Sequence, residues 1–124
     1  MLIGLLSIAT HCALWQFDEP LTKSHINSAL DVLAREGFGP YDEDDRQAIR
    51  TIVFKESSNR PWATNRSSSA FGLFGGLRST YERYGFEYGD ECAICQFRFG
   101  LTYIEKRYGS PVKALAFHNK KGWY

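Results

Sequence analysis

The chain has almost no excess of charge of either sign. Its 15 Lys and Arg stand against 14 Asp and Glu, a formal net charge of +1. That balance gives no electrostatic case for nucleic acid as a partner. A basic stripe, a P-loop and a glycine-rich dinucleotide fingerprint are all missing. No segment alternates convincingly enough to be a strand, and no internal repeat, low-complexity tract or dividing linker is present. Residues 1–124 therefore read as a single, mainly α domain, large enough for a modest core.

A long apolar run is also lacking. Met1 to Trp15 is apolar apart from Ser7, Thr10 and His11, which is too short to span a bilayer comfortably. It has no Lys/Arg start of a secretory signal, and the surroundings of Cys12 make a poor cleavage site. Residues 1–17 are expected to form an apolar helix buried in this domain or against a partner. The alternative is an uncleaved export or membrane-docking segment.

Cysteine is scarce: Cys12, Cys92 and Cys95. A lone Cys-x-x-Cys without a second ligand pair does not make a structural zinc site. Cys92 and Cys95 fall where a helix should begin, so two buried thiols are expected, with a bridge in an oxidising compartment as the alternative. No histidine adjoins them to make a nucleophile, and His11 and His25 lack the companions a metal would require. No metal ion and no cofactor is implied.

Aromatic residues, by contrast, are plentiful at 15%. Several fall in loop-like segments, so they either pack a core or line a groove. The helical pattern is clear. Thr22 is placed to cap a helix through about Glu36, with Ile26, Leu30 and Leu33 as its stripe and Gly37 as its stop. Asp42 opens a second helix whose acidic first turn, through Asp45, complements the positive helix end. Residues 57–78, with Pro61, Ser67 to Ser69, Gly72, Gly75 and Gly76, read as a folded loop or small hairpin. Ser79 and Glu82 have capping-box spacing for a short helix ending near Gly85. A long helix follows from about Glu91 to Tyr108, with Ile94, Phe97, Leu101 and Ile104 on one face. Ser110-Pro111 then opens a last helix to about Phe117.

Glu56 stands out within this pattern. Ile49, Ile52 and Val53 precede it by seven, four and three residues, so helical geometry sets the carboxylate on the apolar face. A carboxyl held against hydrocarbon resists ionisation, which suits a general acid. The plainer reading is a solvated last turn. A glycine- and serine-rich loop directly after a shielded acid is where a substrate groove would be walled.

Three blocks in order resemble one family. Glu56-Ser57, Ala63, Asn65 and Ser69-Ala-Phe-Gly-Leu73 resemble the Glu-Ser and Gly-Leu loop of lytic transglycosylases of the soluble-lytic, lysozyme-like type. Gln96, Gly100-Leu101, Tyr103-Ile104 and Arg107-Tyr-Gly109 are similar to that family's long helix behind the groove. Ala114, Ala116-Phe-His-Asn119 and Gly122-Trp-Tyr124 are similar to the closing motif of a compact branch found in secreted and bacteriophage wall-degrading proteins. Residues 42–124 would be the transglycosylase core. Two departures stand out: Gly75 occupies the place where many relatives carry Gln, and His118 replaces the usual Tyr. Tyr103, His118 or Tyr124 is the candidate for that tyrosine's role.

The resemblance implies a lysozyme-like α-helical domain acting outside the cytoplasm, on the wall or within a virion, with peptidoglycan glycan strands as substrate. Glu56 would be the sole catalytic residue, cutting between N-acetylmuramic acid and N-acetylglucosamine and closing a 1,6-anhydro ring. Ser57 and Asn119 would orient Glu56 or grip the N-acetyl group. The substrate-binding set would also include Trp62, Asn65, Phe71, Gly72, Leu73, Phe74, Tyr103 and His118. Trp62, Phe71, Phe74 and Tyr81 either stack on sugar faces or belong to the core, Trp62 being expected on the surface beside Pro61. His118 is either a groove hydrogen-bond donor or a packed core residue. Asp90 and Glu91 are the candidates for a second carboxylate, or else cap the helix that follows. Arg60, Arg66 and Arg78 either meet wall carboxylates or stay solvated, and Trp123 and Tyr124 are expected to pack the chain end back onto the domain. The competing readings are a hydrolytic muramidase on the same scaffold and a catalytically decayed wall-binding or virion module. On any of these readings, residues 1–17 are the candidate segment for docking to a membrane or a virion protein.

Overall fold

In the computed structural model, which describes residues 13–122, the chain is built from helices. Five are complete among the described residues: α1 (Lys23–Ala34), α2 (Glu43–Ser57), α3 (Arg78–Arg83), α4 (Ala93–Tyr108) and α5 (Pro111–Lys121). The expectations on residues 1–12, His11 and Cys12 included, and on Trp123 and Tyr124 lie outside the described residues; of the helix expected over residues 1–17, Ala13 and Leu14 are helical and the helix has ended by Trp15. At the edge of that region Trp15 is buried, and its carbonyl accepts from the Ala93 N–H at 2.8 Å.

Local chemistry sets the helix starts. Thr22 Oγ1 accepts from the His25 N–H at 3.2 Å while the Thr22 N–H donates to His25 Nδ1 at 3.0 Å, a reciprocal cap in which histidine takes the usual Glu or Gln place. Asp42 Oδ1 accepts from the Asp45 N–H, and Glu43, Asp44 and Asp45 fill the positive first turn of α2. Ser110 and Pro111 open α5 as their types require.

Four boundaries differ from the sequence expectation. α1 stops at Ala34, before Glu36, and α5 runs one turn past Phe117. α3 begins at Arg78 after Leu77, so Ser79 is inside the helix and caps nothing; Ser69 Oγ instead accepts from the Arg78 N–H. α4 begins at Ala93, two residues after Glu91, because Asp90 Oδ1 accepts from the Cys92 N–H and holds that turn outside the helix.

The helix α4 runs through the centre. Ile94, Phe97, Leu101 and Ile104 are fully buried and meet Ile26, Leu30 and Leu33 of α1 and Ile49, Ile52 and Val53 of α2 in one core. α2 packs most extensively on α5, which also packs on α4. Arg98 on α4 grips both carboxylate oxygens of Glu36 at 2.7 and 2.9 Å, and the Tyr41 hydroxyl donates to Glu105. Cys92 and Cys95 are free thiols with their sulfurs 2.9 Å apart, Cys92 buried and Cys95 half-buried. The neighbouring Cys92 sulfur and burial push the Cys95 thiol up, away from the nucleophilic thiolate.

The loop between α2 and α3 is anchored by two isolated bridges, Thr64 with Phe71 and Phe71 with Gly76. Its tip rests on α4 at Gly100, where an added Cβ would stand 2.3 Å from the Phe74 ring. Phe74 is itself buried and packed edge-on against Phe97, centroids 5.4 Å apart, which leaves its ring little space to yield. Alanine normally stabilises a helix interior over glycine by about 1 kcal/mol. At this position overpacking should reverse the sign: Gly100→Ala is expected to lower stability by about 1–3 kcal/mol in a urea titration.

Candidate active site

Glu56 lies in the last turn of α2, which ends where Ser58 and Asn59 take left-handed backbone angles of φ 52° and 64°. That turn is held from outside, because the Leu21 N–H donates to the Asn59 carbonyl and Asn59 Nδ2 donates to the Leu21 carbonyl. The Glu56 side chain keeps 23% of its surface and that of His118 12%. The packing of α2 on α5 brings His118 Nε2 to 2.8 Å from Glu56 Oε1. The imidazole donates to a carboxylate, or accepts from a protonated carboxyl, according to its tautomer.

The other carboxyl oxygen lies against the loop. A methyl group at Gly75 would stand 2.6 Å from Glu56 Oε2, at a backbone φ of 62°, so any larger residue there would displace the acid. Glu56, Phe74, Gly75, Gly76, Leu77, Thr80, Phe99, Tyr103 and Arg107 line a cavity of about 350 Å³. It is walled by the end of α2, the loop, α3 and α4, and its size falls in the range of small-molecule sites.

Of the residues singled out in sequence, Glu56, Phe74, Gly75, Gly76, Tyr103 and Arg107 line this cavity, and His118 reaches it through Glu56. The others are placed elsewhere. Ser57 is buried, with its hydroxyl donating to the Val53 carbonyl at 2.7 Å, so it does not orient Glu56. Asn119 is exposed and accepts from Lys55 Nζ at 2.9 Å. Asn65 is exposed and accepts from the Ser67 N–H. Trp62 is half-buried rather than on the open surface.

The loop aromatics belong to the core. Phe71 and Leu73 are buried, and Phe74, 2% exposed, offers the cavity little more than a ring edge. Tyr81 is 1% exposed, stacks on Phe99 with centroids 3.7 Å apart, and donates its hydroxyl to the Phe71 carbonyl at 3.0 Å. Burial, with Tyr88 and Asp90 adding, pushes the Tyr81 phenol up, so that donor survives into alkaline solution. Asp90 lies with Gln96 at a different cavity of about 220 Å³, away from the acid.

Gln96, which the sequence offered only within a helix motif, holds the loop in place. It is 2% exposed; its Oε1 accepts from the Leu73 N–H at 2.7 Å and its Nε2 donates to the carbonyls of Pro61 and Asp90 at 2.7 and 2.9 Å. Gly72 makes this approach feasible, since a Cβ there would stand 2.6 Å from Gln96 Oε1. The signal was a lone amide on the apolar stripe between Ile94 and Phe97. Leu77 and Thr80 gave no such signal, and Arg107 was offered, like Gln96, only within a helix motif. Arg60 donates to the Ser57 carbonyl, Arg78 stands over the Tyr88 ring and Arg66 is exposed; none lines the Glu56 cavity.

Among the described residues no cluster of three or more His, Cys, Asp or Glu is arranged for a metal ion, and no helix is long and apolar enough to cross a membrane. Comparison with protein-family models, with curated proteins and with solved structures gives no match to this chain.

Proposed function

We propose that the chain is a peptidoglycan lytic transglycosylase in which Glu56 is both acid and base. The observation that carries this reading is one half-shielded carboxylate, held by His118 at 2.8 Å, on the wall of a ligand-sized cavity. Glu56 is the one carboxylate among the described residues lining that cavity.

A single carboxylate suffices if the substrate supplies its own nucleophile. Glu56 gives its proton to the glycosidic oxygen as the bond from muramoyl C1 breaks, and N-acetylglucosamine leaves with a new hydroxyl. The muramoyl 6-hydroxyl then attacks C1, and its proton passes to the Glu56 carboxylate. This closes the 1,6-anhydro ring and restores the acid without consuming water. Glycosidases that use water employ two carboxyl groups about 5–5.5 Å apart when retaining and about 6.5–9.5 Å apart when inverting. With Oε1 engaged by His118, Oε2 is the oxygen that exchanges the proton, and Gly75 leaves it room. The site of action is then the cell wall, reached by a secreted or virion-borne protein.

Sacculi digested with the wild-type protein should yield muropeptides with 1,6-anhydromuramoyl ends, each lighter by one water than a hydrolytic product. Mass spectrometry reads this directly. Reducing ends in place of anhydro ends would make the protein a hydrolytic muramidase. Binding to sacculi without release of any soluble fragment would make it a wall-binding module.

A further inference from the structure

The cavity that holds Glu56 also has a cationic side chain, Arg107, on its wall. The geometry points to Arg107 as a binding residue for a carboxylate of the substrate. This inference rests on the proposed action on peptidoglycan and names what the same cavity would select. The group recognised is an anionic sugar substituent: the lactyl carboxylate of a muramoyl residue whose stem is gone, or a carboxylate of the attached stem peptide.

Arg107 is an exposed residue in the last turn of α4, where a cation complements the negative helix end. Lys106 beside it provides the same complement, so that role does not explain the position of the guanidinium. Its Nη1 donates to the Tyr103 hydroxyl at 2.5 Å, one turn back along α4. The guanidinium carbon stands 5.3 to 5.8 Å from the ring centres of Tyr108, Tyr103 and Phe117. Contacts of this kind fix a long side chain before any ligand arrives, which lowers the ordering cost of binding. Guanidinium has five N–H donors in a planar fork that matches a carboxylate.

The cation on the cavity wall also gives the site a direction. A carboxylate is attracted by Arg107, so an acidic sugar is favoured in the orientation that brings its carboxylate to the guanidinium. A neutral glycan of the same linkage and N-acetyl pattern gains nothing from Arg107. The subsite therefore separates muramoyl-containing strands from chitin-like ones.

Binding measured on the Glu56→Gln protein, which should leave the probes intact, tests the assignment. Four probes are needed: the muramoyl–glucosaminyl disaccharide with its lactyl carboxylate free, its methyl ester, and the stem-peptide form with its carboxylates free and with all of them amidated. The free acid, in the lactyl or the stem arm, is expected to bind about tenfold or more tighter than its neutral counterpart. The arm showing the difference identifies the source of the carboxylate. Adding Arg107→Gln should abolish that preference with little change for the ester, and Arg107→Lys should keep part of it. Equal binding of acid and ester in both arms would overturn the subsite, and this comparison needs no substitution at Arg107. An equal loss for acid and ester in Arg107→Gln would also overturn it, as a packing effect. If either result accompanied anhydro products from sacculi, the reading of Glu56 would stand; no saccharide binding together with intact sacculi would remove both.

Discussion

Glu56→Gln should lower the release of soluble fragments from sacculi by at least about 10²–10⁴-fold, the contribution usual for a positioned acid or base. The amide matches the carboxyl in shape and can still hydrogen-bond to His118, yet it can neither give up nor recover a proton at the glycosidic oxygen. Because the side chain is partly exposed and its neighbours Ile52 and Val53 are packed without it, stability should change by less than about 1 kcal/mol. Turbidity clearance and the denaturation midpoint, measured on one preparation, separate the two effects. Undiminished clearance with an unchanged midpoint would remove Glu56 from the chemistry.

The second large effect is expected at Gln96, well away from the acid. Leucine there would match the volume and suit the apolar stripe, but it would leave the Leu73 N–H and the Pro61 and Asp90 carbonyls without the partners they now have. Each stranded buried group costs about 1–3 kcal/mol, and neighbouring losses are not simply additive. Gln96→Leu should therefore lower stability by about 3–5 kcal/mol, a large share of the roughly 5–15 kcal/mol typical of a domain. Leu73 leads directly into Phe74 and Gly75, so the cavity wall should loosen and activity should fall even where the fold survives. A midpoint within about 1 kcal/mol of wild type would show that the loop is held by other contacts.

These residues show where sequence reasoning reaches and where it stops. The caps at Thr22, Asp42 and Ser110 are settled within four residues of chain, so the starts of α1, α2 and α5 were legible from residue type alone. The buried stripe of α4 was legible for the same reason. Ser57 and Asn119 drew attention because they adjoin Glu56 and His118. On a helix, however, adjacent residues point about 100° apart, and both turn to other partners. The Glu56–His118 contact, the Gln96 clamp on Leu73 and the seat of Phe74 on Gly100 join positions 62, 23 and 26 residues apart. No local pattern encodes such pairings. The capping-box spacing at Ser79 and Glu82 failed for a related reason: the core seat of Tyr81 and the Ser69 hydroxyl fix where α3 starts.

The paired hydrogen bonds between Leu21 and Asn59 have a mechanical consequence. They couple the stretch ahead of α1 to the turn three residues beyond Glu56. A pull on the leading part of the chain is therefore transmitted to that turn before it reaches the rest of α2. A load applied ahead of α1 would thus be shared between the Trp15 contact with α4 and the turn that follows Glu56.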